Sequence, residues 1–194
     1  MIKIPQPAIA VNSLNAPGQA YSMWSRYDVG ESFDPSYIMN RILSMIATAP
    51  EGRIRALVLN CHGFTNIRGE YGYGIELGTG IDILNVGCFK ILSGKIDLIV
   101  ITACGTSRIS ASSTSGGDGD GHYFTSTIAR LTRAKVVACT EMQVHDPSGI
   151  PPYHIDEFEG LVTVYNENGQ LVNQIRHPST YYLENLVESG MHYN

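Results

Sequence analysis

Three apolar runs constrain the fold of this chain more than any other feature: Ile54-Arg55-Ala56-Leu57-Val58-Leu59-Asn60, Ile96-Asp97-Leu98-Ile99-Val100-Ile101-Thr102 and Lys135-Val136-Val137-Ala138-Cys139-Thr140. They are short, rich in Val and Ile, and scarcely alternate with polar residues, which is the pattern of central strands in a parallel sheet covered on both faces. Parallel neighbours require crossover connections, and the intervening segments offer them. Asp34-Pro35 supplies a cap followed by proline at the first helical position, with Ile38, Ile42, Met45, Ile46 and Ala49 along one face, so a helix is predicted over 35–48. Ile83, Val86, Phe89 and Ile91 lie between the first two runs, and Phe124, Ile128 and Leu131 lie within Tyr123–Arg133 between the second and third. Strand and helix therefore alternate, and the expected fold class is α/β, with a doubly wound, mostly parallel sheet and right-handed crossovers.

The remaining segments fit around that sheet. Ala8 to Val11 and Ala20 to Tyr27 read as short strands on either side of the turn cluster Asn15-Ala16-Pro17-Gly18. Leu161-Val162-Thr163-Val164-Tyr165 and Leu171-Val172-Asn173-Gln174-Ile175 flank an Asn-Gly turn signal, which predicts a C-terminal β-hairpin, followed by a closing helix near 180–188. With no internal repeat and no dividing linker, residues 1–194 are expected to form a single domain.

Charge narrows the partners. The chain carries 13 Lys and Arg against 18 Asp and Glu, a net charge of −5, and charged residues make up 16% of it, with no basic cluster. Nucleic-acid affinity rests largely on such clusters, so nucleic acid is not expected as a partner. The longest apolar stretches fall far short of the ~20 residues needed to cross a bilayer, so no membrane span is expected. Pro5, Gln6, Pro7, Asn12 and Asn15 interrupt any apolar core of a Sec-type signal. The four cysteines, Cys61, Cys88, Cys104 and Cys139, show neither C-x-x-C pairing nor zinc-type spacing. A cytoplasmic, reducing location follows, or export as an effector without a Sec-type signal.

In open α/β sheets, sites gather beyond the carboxyl ends of the strands. The first central run ends in Asn60-Cys61-His62-Gly63 and the next in Thr102-Ala103-Cys104-Gly105, so neighbouring strands deliver a histidine and a cysteine to one edge. Cysteine beside a base is the minimum equipment for thiol nucleophilic catalysis. Gly63 permits close approach to the backbone, and its N–H with that of Cys104 makes the donor pair that a tetrahedral oxyanion needs. Cys61 points into the core by strand alternation, and Cys88 and Cys139 are packing residues.

These pieces resemble the caspase-like cysteine peptidases, the group holding caspases, legumains, gingipains, clostripain, separase and bacterial CHAT and toxin-processing domains. The resemblance spans roughly residues 54–141: a hydrophobic strand into His62-Gly63, another into Ala103-Cys104-Gly105, and the helix and strand Thr125 to Ala138. Thr102 and Thr106 stand where the caspase signature has Gln and Gly, so the bacterial relatives fit better than true caspases. The resemblance implies a three-layer α/β/α caspase-like fold and a cysteine endopeptidase acting on a protein or peptide substrate. It implies Cys104 as nucleophile and His62 as the acid that protonates the leaving amine, with no third catalytic residue and no metal or organic cofactor. It further implies a specificity pocket built from loops after the first and last central strands. Glu141 and Asp146 of the last loop and Asp28 of the first segment favour Lys or Arg there, whereas Arg26 favours Asp or Glu; the more numerous acids tip the expectation toward a basic residue.

Two other functional readings start from the same residues: a catalytically inactive scaffold of this fold, and a thiol-dependent hydrolase or transferase of non-peptide acyl groups. The Gly-rich stretch Gly69 to Gly80 lacks a phosphate-loop signature and is expected to be a surface loop with short strands. Ser110 to Gly121 is expected to be a flexible connection, with closure over substrate or self-cleavage as the sharper alternatives. His122, His145, His154, His177 and His192 show no metal-ligand spacing and are expected at the surface.

Overall fold

The structure is a computed structural model that describes residues 1–16, 18–144 and 149–189. In chain order the elements are β1 (Ile2–Lys3), β2 (Ala8–Ser13), β3 (Ser25–Val29), α1 (Pro35–Ile46), β4 (Ile54–Asn60), β5 (His62–Thr65), β6 (Tyr71–Glu76), a 3-10 helix (Val86–Leu92), β7 (Ile96–Ile101), α2 (Gly121–Thr132), β8 (Lys135–Cys139), β9 (His154–Ile155), β10 (Leu161–Tyr165), β11 (Leu171–Arg176) and α3 (Thr180–Glu188). Seven strands form the central sheet in the order β11-β10-β8-β7-β4-β2-β3. Its five-strand block from β3 to β8 is parallel, and β10 and β11 extend it antiparallel. The chain is thus a mixed α/β protein with helices on both faces of a mostly parallel sheet.

The order of strands explains which face each connection covers. The steps β3 to β4, β4 to β7 and β7 to β8 all advance the same way across the sheet, so crossovers of one hand put α1, the 3-10 helix and α2 on one side. The step from β2 to β3 runs the other way, which sends residues 14–24 to the opposite side. Packing agrees. One apolar cluster joins Ile38, Met39 and Ile42 of α1, Phe89 of the 3-10 helix, and Phe124 and Ile128 of α2 to Leu57, Leu59, Ile99 and Ile101. The other joins Tyr21 and Met23 of the β2–β3 connection, and Leu183 and Val187 of α3, to Ala56, Val58, Leu98 and Val100. Successive strand residues feed opposite clusters, which is why the central runs are apolar throughout. Each fully buried Leu, Ile or Val contributes about 1.5–3 kcal/mol.

The caps follow the sequence. One oxygen of Asp34 accepts the N–H groups of Ser36 (2.7 Å) and Tyr37 (3.2 Å) ahead of Pro35, and Asp120 accepts the N–H of Tyr123 at 2.9 Å to start α2. Two expectations change, and a third, short strands within Gly69 to Gly80, is met. Residues 20–24 are a connection rather than part of a strand, because Tyr21 and Met23 pack on the second face while the Tyr21 N–H bonds the Asn12 side chain at 2.8 Å. Val86, Phe89 and Leu92 recur every third residue and are buried, so that crossover winds as a 3-10 helix. The stretch Gly69 to Gly80 contains β6, which pairs with β5 in a separate two-stranded sheet. Among the described residues no helix is long and apolar enough to cross a membrane.

Candidate active site

The chain runs from β2 out to β3 and then returns past β2 to β4, so connections diverge at the carboxyl edge, where parallel sheets place their crevices. β4 and β7 are hydrogen-bonded neighbours, with Leu59 opposite Ile101. Beyond them Cys61 buries its thiol in the first apolar cluster, His62 opens β5 half-buried, and Thr102 and Ala103 lead to Cys104. The two segments meet through backbone. A Cβ on Gly63 would lie 1.8 Å from the carbonyl oxygen of Cys104, a distance that only a hydrogen on Gly63 accommodates. The protein's own carbonyl therefore makes this glycine obligatory.

Strand alternation sets the direction of the Gly63 peptide. Ile75, its partner across the β5–β6 ladder, exchanges both of its backbone hydrogen bonds with Ile81, at 2.9 Å each. Ile75 thus turns its peptide groups away from β5, and Gly63, in the non-hydrogen-bonded pair, turns its N–H away from β6. The Cys104 N–H has no partner among the described residues. The Gly63 and Cys104 N–H groups are thus both left outside the β5–β6 ladder.

The sulfur itself is held. Cys104 is 7% exposed, and its Sγ accepts the Gln143 N–H at 3.2 Å. Gln143 is fixed in turn: its amide donates to the carbonyls of Glu141 and Glu159, both at 3.2 Å, and accepts the Glu159 N–H at 3.1 Å. The Gly105 N–H donates to the Glu141 carbonyl at 2.9 Å. Burial, followed by the neighbouring Cys104 thiol, raises the Tyr71 phenol above its ordinary range, and the Cys104 sulfur is also directed at the Gln143 carbonyl oxygen at 3.8 Å. Burial pushes up the thiols of the other cysteines, Cys88 to about 11 and Cys139 to about 12.

The β5–β6 hairpin is tied to the segment that follows Cys104. Glu70 accepts hydrogen bonds from Ser110 Oγ at 2.7 Å, from Ser112 Oγ, and from Asn66 Nδ2 at 2.8 Å. Tyr73 joins Ser112 at 3.0 Å. These hydroxyls, Ser110 first, hold the Glu70 carboxyl down at about 2. The segment Ser110 to Gly121 is consequently anchored at its start by side chains and at its end by the Asp120 cap, rather than loose along its length.

The expected specificity residues divide. Glu141 accepts the Gly105 N–H next to Cys104 through its carbonyl, but its side chain packs over Gly160. Arg26 and Asp28 on β3 bind each other in a two-pronged pair (2.8 and 2.8 Å), which lowers Asp28, so neither charge stands free. They line a cavity of about 100 Å³ with Asn12 and Asn60 at the ends of β2 and β4. Asp146, like His145 and His192, lies outside the described residues. A larger cavity of about 270 Å³ is lined by Glu31, Glu76 and Phe64, and Glu76 stands directly across the ladder from His62. His122, expected at the surface, is half-buried instead, its Nδ1 2.6 Å from the Tyr165 hydroxyl. Sequence reasoning missed Tyr71, Gln143 and Glu70; the Tyr71-Gly72-Tyr73-Gly74 alternation was the one available signal of a strand pressed against backbone. Among the described residues no three His, Cys, Asp or Glu side chains gather as a metal site.

Comparison with known proteins adds nothing to this geometry: no protein-family model, curated protein or solved structure matches the chain.

Proposed function

We propose that this chain is a caspase-like cysteine endopeptidase, with Cys104 as nucleophile and His62 as the group that takes the thiol proton and returns it to the leaving amine. The observation that carries the reading is the fit of Gly63 against the Cys104 carbonyl, which joins the histidine-bearing and cysteine-bearing segments at the carboxyl edge of adjacent parallel strands. The strand order, parallel up to β8 and antiparallel beyond, suits the resemblance. In the reaction the Cys104 sulfur attacks the peptide carbonyl carbon, and the carbonyl electron pair moves onto oxygen between the Gly63 and Cys104 N–H groups. That electron pair then re-forms the carbonyl as the amine departs with the proton from His62, leaving a thioester that water hydrolyses.

A basic residue beside the scissile bond is the preferred substrate feature. The support has shifted from Asp28, which Arg26 neutralises, to Glu31 and Glu76 in the cavity beside the His62 hairpin. Their carboxylates with the Phe64 ring complement a cationic side chain that has an apolar stem. The substrate is a cytoplasmic protein or peptide.

The test is hydrolysis of a peptide library varied on both sides of the scissile bond. Cleavage beside Lys or Arg is expected, abolished in Cys104→Ser and weakened for basic peptides alone in Glu76→Gln. Cleavage that survives Cys104→Ser, or a wild-type chain that cuts no peptide, refutes the reading.

A further inference from the structure

The β5–β6 hairpin has a second face. Cys104 meets the hairpin at Gly63, and successive strand residues point opposite ways, so His62 and its cross-strand partner Glu76 project from the side turned away from the Cys104 backbone. On that side lies the cavity of about 270 Å³ lined by Glu31, Glu76 and Phe64. Its place in the sheet is specific. The connection leaving β2 goes outward to β3 and the one leaving β4 goes the other way to β7, which makes the gap between β2 and β4 the switch point where open α/β sheets bind ligands.

One lining group has no use inside the fold. Ser13 ends β2 on the face of Ile9 and Val11 and is 7% exposed, and its hydroxyl has no hydrogen-bond partner among the described residues. It lines this cavity and borders the smaller one at Asn12. A buried hydroxyl is costly to leave unbonded, so the site is built for a group that bonds it. The walls are preformed. The Phe64 ring is seated on Gly80, where any Cβ would collide with it, and the Thr79 N–H donates to the Phe33 carbonyl at 2.9 Å. Asn15 steadies Glu31 by a hydrogen bond, while the Glu76 carboxylate has no hydrogen-bond or ion-pair partner among the described residues.

We propose that this cavity receives the side chain of a Lys or Arg on the amine side of the scissile bond, so that the chain cuts before a basic residue rather than after one. The inference rests on the peptidase reading and fixes which half of the substrate carries the charge. The acyl half stays on the Cys104 sulfur as the thioester, and the amine half departs with the proton from His62, toward β2. Neighbouring strands are ~4.8 Å apart, which puts the end of β2 about 10 Å from the end of β7. Only a long side chain spans that distance from a residue adjoining the bond. Two carboxylates and a hydroxyl bond its cationic head, and the Phe64 ring covers its methylenes.

The experiment is mass-spectrometric product analysis of peptides that carry a single Lys in a neutral sequence, each paired with a norleucine control. The new amino terminus is expected to be Lys, with kcat/KM at least about ten-fold above the control, the scale of one hydrogen bond to a charged group. Glu76→Gln should cut that ratio by about ten-fold and Ser13→Ala by about three-fold. Ser13→Ala breaks no hydrogen bond of the folded chain, so it reads the site even where Glu76→Gln fails to fold. Cuts that leave Lys at the new carboxyl terminus, or a ratio unmoved by the variants, overturn the inference and leave the peptidase standing. A chain that cuts no peptide removes the peptidase reading, and calorimetric titration of the full chain then decides the cavity. Lys-Ala-Ala-amide, the amine-half product, is expected to bind where its norleucyl counterpart does not, and to lose affinity in Ser13→Ala. Equal binding of the two peptides, or spermidine binding more tightly than the lysyl peptide, overturns the cavity as a site for a basic peptide side chain.

Discussion

In the central sheet, Leu57, Val58, Ile99 and Val100 are fully buried and alternate between two apolar layers. Beside it, Gly63 of the β5–β6 hairpin meets the Cys104 carbonyl and Gly105 after β7 meets the Tyr71 ring through bare backbone, and Glu70 and Tyr73 hold the next segment through hydroxyls. The sheet is stabilised by area removed from water, which many similar side chains supply. The hairpin depends on a handful of contacts that each admit one residue type. Stability and reactivity are therefore assigned to different parts of the molecule, and substitutions should separate them.

The largest expected loss of stability is in the sheet layer. Phe124→Ala removes a ring buried between α2 and the sheet, and about 3–5 kcal/mol of unfolding free energy should go with it in a urea titration. The folded fraction should still react at Cys104 at the wild-type rate; a matching fall in reactivity would merge the two regions. Gly63→Ala is the converse. A Cβ there meets the Cys104 backbone carbonyl at 1.8 Å, so the backbone must shift, and a loss at or above the usual overpacking cost of about 1–3 kcal/mol is expected. Peptide turnover should nevertheless fall by roughly 10²–10³, the loss typical when one oxyanion donor is displaced.

Acid sharpens the contrast further. Glu70 is held well below its ordinary value of 4.5, at about 2, so its contribution is complete above pH 4.5 and disappears as pH falls toward 2. Hydrogen exchange of residues 105–120 should accelerate across that window before β7 or β8 does, and Glu70→Gln should show the faster exchange already at neutral pH. The smallest effect is expected at His122, whose burial lowers it from 6.5. The unfolded chain then binds its proton first, so stability declines as pH drops below 6.5, and His122→Gln should flatten that slope in thermal melts.

Much of the sheet was legible because burial on both faces writes itself into composition: the runs at 54–60, 96–102 and 135–140 coincide with β4, β7 and β8 to within a residue. Asp34-Pro35 and the Asn-Gly hairpin were legible for an equally local reason, a cap and a turn with residue-specific chemistry. The hairpin beside Cys104 was not. Tyr71 and Tyr73 alternate with glycines whose role is to let distant backbone approach, and nothing in the order of residues says which backbone that is. Gln143 was hidden for a related reason: its importance lies in a main-chain N–H, which every residue but proline carries. Arg26 and Asp28 were singled out as candidate specificity residues from their charge alone, which cannot show that they pair with each other across one strand face.

The central claim is that the Cys104 thiol, and no other, is chemically poised by His62. Site-resolved alkylation of the native chain at neutral pH, with His62→Ala alongside, tests it most directly. Cys88 is the natural competitor, being less enclosed than Cys61 and Cys139. If the dyad operates, Cys104 is modified at least ten-fold faster than Cys88, whose thiol burial raises to about 11, and the His62→Ala chain loses most of that advantage. Modification of Cys88 first, or a Cys104 rate indifferent to His62, would contradict it.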